Sequence, residues 1–205
     1  MAVSAIGVDD AATPDHYLHY NARTISAVSR EDQYVLPGQN AYPTYIARAD
    51  GISIATVDSH VLQIMADGTN YSRLLRYWIT ATSDGPVADT TIQIGLVRLT
   101  TAGTGGSAVT PAPYDTADTY AGGAMTLPSS KGTESTTLHR WFLNAESAPA
   151  STNAFSQDFV WEASRWAKPI IFGTGTGAGL CWKVIQEVAS CSLSIHAEFV
   201  VSSFL

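Results

Sequence analysis

The sequence predicts an all-β protein folded as an antiparallel β-sandwich. Its strongest strand, Cys191–Val201, carries apolar side chains at every second position, with the polar row Ser192 to Glu198 between them. Strict alternation of this kind is typical of a strand with one buried face and one solvated face. Shorter runs recur at close intervals between turn residues, and no segment keeps a helical period. Short strands at this spacing favour a sandwich or a barrel.

The first strands are short, and turn-forming residues separate them. These residues lie at Pro37–Asn40, Asp50–Gly51 and Asp67–Asn70, and each segment is expected to end one strand before the next begins. The predicted strands of this half are Thr24–Val28, Gln33–Leu36, Thr44–Arg48, Ile52–Val57 and Val61–Ala66.

The strongest pair of strands follows, at Arg73–Thr82 and Thr90–Thr100. The residues between them, Ser83–Pro86, predict either a hairpin or a short connection between two sheets. Strands resume beyond residue 136, at Thr137–Leu143, Phe159–Trp161, Lys168–Phe172, Leu180–Gln186 and Cys191–Val201.

The chain is expected to hold one sandwich domain with two irregular segments. Residues 1–23 show no clean period and predict an extended N-terminal arm, which leaves 24–205 for a single domain. Residues 101–136 form a long low-complexity loop rich in Gly, Thr, Ser and Pro. Connections longer than about 15 residues are uncommon inside compact domains unless they are functional. We therefore expect this loop to project from the sandwich or to lie across a neighbouring subunit.

Composition narrows the classes of partner. The chain has 205 residues, of which 45% are hydrophobic and only 14% charged, with a formal net charge of −7. The high hydrophobic fraction excludes a disordered chain, and the low charged fraction leaves a weakly charged surface suited to protein packing. Because the chain is acidic and has no Lys/Arg cluster, no nucleic-acid partner is expected. No apolar run approaches the roughly 20 residues that span a bilayer, and no signal-peptide pattern occurs, so we expect no membrane partner and synthesis in a cytoplasm.

The two cysteines are expected to be free thiols. Cys181 alternates in phase with Lys183, whereas Cys191 belongs to the apolar face of its strand. Side chains on such different faces are poorly placed for a mutual disulfide.

The motif-like segments carry no recognisable chemistry. Gly173–Gly179 lacks the spacing and the following helix of a dinucleotide-binding loop, so it predicts a turn. Asp58–His60 contains the residue types of a hydrolase triad, but adjacent side chains point apart and cannot form the relay. The histidines of His16–His19 diverge on an extended arm and predict no metal site. No catalytic residue, metal ligand or cofactor is therefore predicted.

The remaining acidic residues are weak candidates for chemistry. Asp158 with Glu162, or Glu187 with Glu198, would have to converge in a cleft to act as a glycosidase pair. Asp67–Asn70 and Asp115–Asp118 offer oxygen ligands for calcium, but such residues more commonly form turns.

Aromatic residues supply the candidate interface. Tyrosine offers a large contact area at a small cost in rotamer freedom, which suits insertion into a partner's surface. Most of the candidates crowd the first 45 residues, where capping of the sandwich's open edge is an equally good explanation. The interface candidates are Tyr17, Tyr20, Tyr34, Tyr42, Tyr45, Tyr114 and Tyr120. The tryptophans expected in the core or between the sheets are Trp141, Trp161, Trp166 and Trp182.

Two segments carry a resemblance to a known class of protein. One is Ile92–Asp115, running on through Gly123 and Leu127–Pro128; the other is the Gly-rich turn with the terminal strand. Over residues 73–143 and 168–203 the pattern resembles small virion structural proteins of tailed bacteriophages, particularly the capsid decoration or cement type. The resemblance implies a jelly-roll-like sandwich that assembles, commonly as a homotrimer, on the outer surface of the head. There it would bind the major capsid protein and brace the shell without catalysis, as a virion protein assembled in the host cytoplasm.

Two other functions stay open at this point. A tail or fibre-tip module that recognises a host-surface glycan would need exposed aromatics and acids clustered on the loops, for which Tyr114 and Tyr120 are the candidates. A jelly-roll glycan hydrolase or lyase would need two converging carboxylates in a groove.

Overall fold

The computed structural model describes residues 6–7, 17–25, 28–34, 43–83, 90–145, 156–164, 168–175, 177–188 and 190–202. Within these ranges the chain forms strands and no helix. The strands are β1 Ile6–Gly7, β2 Tyr17–Ile25, β3 Val28–Tyr34, β4 Thr44–Ser53, β5 His60–Met65, β6 Tyr71–Ser83, β7 Thr90–Thr101, β8 Ser107–Ala108, β9 Ala112–Pro113, β10 Met125–Leu127, β11 Thr133–Ala145, β12 Ser156–Glu162, β13 Ile170–Phe172, β14 Gly179–Gln186 and β15 Cys191–Ser202.

Residues Met1–Ala41 form one compact unit, and Tyr42–Leu205 form a second. In the first unit β1, β2 and β3 make an antiparallel sheet in that order, and β2 pairs with β3 from His19 opposite Tyr34 to Ile25 opposite Val28. The domain boundary that the sequence predicts, after residue 23, thus falls inside β2.

The second unit is a sandwich of two antiparallel sheets, which confirms the predicted fold class. Sheet one has the order β11-β7-β14-β5-β10-β8, and sheet two the order β12-β6-β15-β4-β9, with β13 also pairing with β6. The core lies between the sheets. There the ring of Tyr77 in β6 lies 5.4 Å from that of Trp182 in β14 and 5.2 Å from that of Trp141 in β11. The prediction of core positions for Trp141 and Trp182 is therefore correct, while Trp166 lies outside the described residues.

Consecutive long strands mostly lie in opposite sheets. β4, β5, β6 and β7 alternate between the sheets, β7 and β11 share sheet one, and β12, β14 and β15 alternate again. The connection after β6 is therefore an inter-sheet connection and not a hairpin. The Gly-rich segment Gly173–Gly179 likewise joins β13 of sheet two to β14 of sheet one, as a turn.

Asp50–Gly51 does not end a strand, contrary to the prediction. Both residues lie within β4, where the register against β15 shifts between Leu193 and Ile195. Gly51 has φ of +64°, a conformation that glycine adopts without steric cost. The pair forms a β-bulge, which accepts the same residues as a turn but lets the strand continue.

The terminal strand β15 has the predicted faces. Its residues alternate between buried and half-buried from Cys191 to Phe199, because it lies between β6 and β4 with one side against the core. Cys181 and Cys191 are both buried thiols and are not joined in a disulfide, in agreement with the prediction. Cys191 belongs to the core between the sheets, whereas Cys181 packs in a smaller apolar cluster.

The long connection between β7 and β11 does not project from the sandwich, contrary to expectation. It runs along both sheet edges: β10 pairs with β5 in sheet one, and β9 pairs with β4 in sheet two. Unpaired strand edges are a liability, and this segment covers two of them. Its glycines permit close packing, since a Cβ on Gly103 would lie 2.5 Å from the carbonyl oxygen of Ser130.

Candidate binding surface on sheet two

The outer face of sheet two carries a group of aromatic and charged side chains that we name the aromatic–ionic patch. Alternation along β6 buries Tyr77 and Ile79, so the residues on either side of them face outward. On neighbouring strands Arg76 lies opposite Glu198, and Trp78 lies opposite His196. The patch consists of Arg76, Trp78, Tyr114, His196 and Glu198.

An ion pair forms the centre of the patch. Arg76 donates from Nε to Oε2 of Glu198 at 3.0 Å and from Nη2 to Oε1 at 2.6 Å. Side-chain exposure is 41% for Arg76 and 13% for Glu198. The hydroxyl of Tyr114 also donates to Oε1 of Glu198, and the pKa of Tyr114 is raised by burial and by this bond. Glu198 therefore holds one side chain from β6 and one from the long connection in fixed positions.

Trp78 is flanked by two polar groups. The guanidinium carbon of Arg76 lies 5.1 Å from the ring centroid of Trp78, within cation–π range. The His196 ring lies 4.9 Å away at 52°. His196 Nε2 donates to Oδ1 of Asp50 at 2.9 Å, and this bond is the largest cause of the lowered pKa of Asp50. Trp78 thus lies between Arg76 and His196, whose positions are fixed by their bonds to Glu198 and Asp50.

The composition of this face suits binding. Tyr114 is 58% exposed, and Val160, opposite Trp78 on β12, is 59% exposed. Small hydroxyl side chains extend the face, with Thr82 Oγ1 bonded to Ser192 Oγ at 2.9 Å. Trp, Tyr and Arg are the residues enriched at the energetic centres of protein interfaces. The arrangement can stack on a flat apolar group and hydrogen-bond at its rim.

Tyr114 is the predicted interface residue that the structure places on this surface. Tyr120 instead packs inward: its hydroxyl donates to the carbonyl of Gly123 at 2.7 Å, and its ring lies 5.1 Å from that of Tyr45. Tyr45 is 1% exposed and also stacks on Phe199, so it has no surface to offer a partner. Tyr45 belongs to the core and the partly buried Tyr120 packs against it, because the long connection folds over the edge of β4.

The other predicted interface residues lie in or near the N-terminal unit. Tyr17 and Tyr20 are in β2, and Tyr34 ends β3; the structure describes their backbone positions alone. Tyr42 lies outside the described residues, as does His16. The role of this segment in docking stays a prediction.

A second polar cluster lies on the outer face of sheet one, and we name it the ionic latch. It joins Asp58, His60 and Lys183 to Lys131, at the end of the long connection, and to Glu134, at the start of β11. Glu134 accepts from His60 Nε2 at 3.0 Å and from Lys183 Nζ at 2.9 Å. Asp58 pairs with both Lys131 and Lys183. The cluster fastens the connection to β5 and β14.

The protonation states in the latch follow from its hydrogen bonds. The backbone N–H of Gly132 donates to His60 Nδ1 at 3.2 Å, so the ring proton is on Nε2 and is donated to Glu134. Bonds from Lys131 and Lys183 lower the pKa of Asp58 to about 2. Burial raises the pKa of Glu134, but the bonds from Lys183 and His60 outweigh it and lower the pKa overall.

The turn prediction at Asp67–Asn70 is correct, and the one at Asp58–His60 holds for Asp58, whereas His60 begins β5. Asp58 is in a turn with φ of +63°, and its carboxylate bonds to lysines, not to His60. Oδ1 of Asp67 accepts from the backbone N–H groups of Thr69 and Asn70, as in an Asx turn. Among the described residues no group of three or more His, Cys, Asp or Glu side chains converges as a metal site. No helix in those ranges is long and apolar enough to cross a membrane.

Sequence reasoning missed Trp78 and Arg76. The signal was present, because the alternation that buries Tyr77 and Ile79 places these two residues on the polar face of β6. A tryptophan on a polar face is the less common case.

Comparison with protein-family models, with curated proteins and with solved structures finds no match to this chain.

Proposed function

We propose that this chain is a non-enzymatic virion structural protein, a capsid decoration or cement protein that binds the outer surface of a phage head and stabilises the shell. The aromatic–ionic patch is the observation that supports the proposal most directly. It presents Trp and Arg from β6 and Tyr from the long connection on one face of a sheet, which is the chemistry of a protein-binding surface. The pattern resemblance over residues 73–143 and 168–203 supplies the class of partner.

We also infer that the sandwich is a jelly roll, as the resemblance implies. The strand order supports this. Four long strands in the order β12-β6-β15-β4 face four in the order β11-β7-β14-β5. With the alternation of consecutive strands between the sheets, this order corresponds to two Greek keys wound together.

In this function the patch is the site that meets the major capsid protein. Its side chains are already held by one another: Glu198 fixes Arg76 and Tyr114, and Arg76 and His196 flank Trp78. Little conformational freedom is then lost when the partner binds, which raises affinity for a given contact area. Self-association as a homotrimer would present three such patches and raise avidity without any new contact.

A head-binding assay tests the proposal. Heads of the phage that encodes the chain, prepared without this protein, are mixed with wild type or with Trp78→Ala and then sedimented. Loss of a central aromatic contact costs about 2 kcal/mol, so Trp78→Ala should bind about 30-fold more weakly. Thr80→Ala, two residues along the same face, is the matched control and should bind as wild type does.

Two outcomes would contradict the proposal. One is wild-type protein that fails to sediment with heads at any ratio. The other is density for the chain at a tail tip, and not on the head, in electron microscopy of intact virions. If Trp78→Ala binds heads as tightly as wild type, the patch is not the docking site.

A second candidate function has a specific observation in its favour. Exposed Tyr114 shares a hydrogen bond with the carboxylate of Glu198 beside Trp78, which places an aromatic and an acid together as a glycan-binding tail module would require. Adsorption of the purified chain to host cells distinguishes the two functions. Adsorption that is lost in Trp78→Ala and competed by host surface polysaccharide would favour the tail module.

A further inference from the structure

The sandwich has one sealed side and one open side. On the β4/β5 side the long connection adds β8, β9 and β10 to the sheets. On the other side the sheets end at β11 and β12, and the part of the chain that the structure describes places no further strand beyond β11. We name β11 and β12 together the open edge.

The open edge carries exposed apolar side chains that the core does not use. Phe142 of β11 is 61% exposed and faces outward opposite Gln93, while Val160 of β12 faces outward opposite Trp78. The inner side is already closed by aromatic rings, with those of Trp141 and Phe159 4.9 Å apart. Phe142 and Val160 therefore add nothing to the packing of the monomer. Exposed apolar side chains in such positions favour burial by association with another molecule.

The two strands of the open edge differ in charge. Beside Phe142, Arg140 is exposed on β11. On β12 the outward residues are Asp158, Val160 and Glu162, so Val160 lies between two carboxylates. One strand thus presents a cation next to an apolar group, and the other presents an apolar group next to anions.

These two strands are complementary to each other in an antiparallel register. If Phe142 of one copy lies opposite Val160 of the next, then two residues away Arg140 lies opposite Glu162. The inward positions also match, with Trp141 opposite Trp161. Cross-strand apolar and opposite-charge pairs stabilise a sheet, whereas like charges destabilise it. Pairing β12 with a second β12 about Val160 would place Asp158 opposite Glu162, so a two-fold contact through β12 is disfavoured.

We propose that the open edge is a self-assembly surface, on which β11 of one copy pairs with β12 of the next. When two copies make this contact reciprocally it closes as a two-fold dimer, and when each copy pairs β11 with one neighbour and β12 with another it closes as a larger ring. This inference rests on the self-association in the proposed function and names the surface that would carry it. The sealed side lies at the opposite ends of the two sheets and takes no part in this contact.

Cysteine cross-linking tests the register. Phe142→Cys and Val160→Cys are made separately; both side chains are exposed, and native Cys181 and Cys191 are buried and do not compete. Directly opposite Cβ atoms in an antiparallel pair lie about 4.5–5.5 Å apart, close enough for a disulfide. Mixing the two variants under mild oxidation should give a disulfide-linked heterodimer, while Phe142→Cys mixed with Thr80→Cys should give none. Linkage of Phe142→Cys to itself in preference to Val160→Cys would overturn the β11–β12 register.

Charge reversal tests the energetics by sedimentation equilibrium. Arg140→Glu or Glu162→Arg alone should weaken assembly about tenfold, and the double variant should restore it, because the opposite-charge pair is rebuilt. Arg48→Glu, an exposed reversal on the sealed side, is the control and should assemble normally. A wild-type chain that stays monomeric overturns this inference, and if that monomer still binds heads the proposed function stands. If the chain assembles but does not bind heads, this inference stands and the proposed function fails.

Discussion

Replacing Tyr77 by alanine is expected to lower the free energy of unfolding by about 3–5 kcal/mol. The side chain is fully buried in β6 and contacts rings on three other strands. Its ring centroid lies 5.2 Å from that of Trp141 in β11, 5.4 Å from that of Trp182 in β14 and 5.3 Å from that of Trp161 in β12. Each such contact contributes about 0.5–1.5 kcal/mol beyond burial, which places the expected loss towards the top of the range.

Tyr77→Phe separates the ring from the hydroxyl. The hydroxyl lies 3.0 Å from Nδ1 of His139, whose pKa is lowered by burial, so the neutral imidazole is the acceptor. Loss of one such hydrogen bond costs about 1 kcal/mol. The difference between the two variants, about 2–4 kcal/mol, measures the contribution of the ring.

Urea denaturation at pH 7, followed by tryptophan fluorescence, provides the measurement. Val57→Ala removes an exposed apolar side chain and should change the unfolding free energy by less than about 0.5 kcal/mol. If Tyr77→Phe costs as much as Tyr77→Ala, the hydrogen bond to His139, and not ring packing, holds the sheets together. If neither costs more than the control, the inter-sheet aromatic cluster contributes nothing and the reasoning fails.

The remaining predictions concern the latch, the long connection and the thiols. Because the pKa of Asp58 is lowered from 3.8 to about 2, its contribution to the free energy of unfolding is present above pH 4 and is lost as the pH falls towards 2. The carboxylate is 45% exposed, so this contribution stays below about 1 kcal/mol. Asp58→Asn should abolish the pH dependence in acid titrations of stability. Gln63→Ala should cost about 2 kcal/mol and raise hydrogen exchange in the connection, because the buried amide bonds both the N–H and the C=O of Gly103; unchanged exchange would refute this. Cys181 and Cys191 should react with a thiol reagent only after denaturation, since both are buried, and prompt reaction of native protein would refute their placement.

Alternation predicted the parts of the fold that local pattern determines. The faces of β15 and the positions of β6 and β7 follow from period two alone. Asp50–Gly51 was not decidable locally, because a turn and a bulge accept the same residues at φ > 0. The bulge is set by the pairing of β4 with β15, a partner more than 100 residues away in sequence.

The path of the long connection and the burial of Tyr45 and Tyr120 were not predictable for a related reason. β8, β9 and β10 contain two or three residues each, too few to show a period, and they form because the edges of β4 and β5 are available. The patch has the same origin: Arg76, Tyr114 and Glu198 come together only when three separate segments are in register.

The position of β15 between β4 and β6 has a consequence for the protein's synthesis. Among the described strands β4 pairs with β9 and β15 alone, and both are made after it, so the ribosome releases β4 and β6 well before their common neighbour β15 exists. Until then these strands present apolar faces and open hydrogen-bonding groups to other nascent chains. Pairings between such distant segments form slowly, and chains in this state are prone to aggregate. Yield on overexpression should therefore depend more on temperature and on chaperone capacity than on the stability of the finished fold.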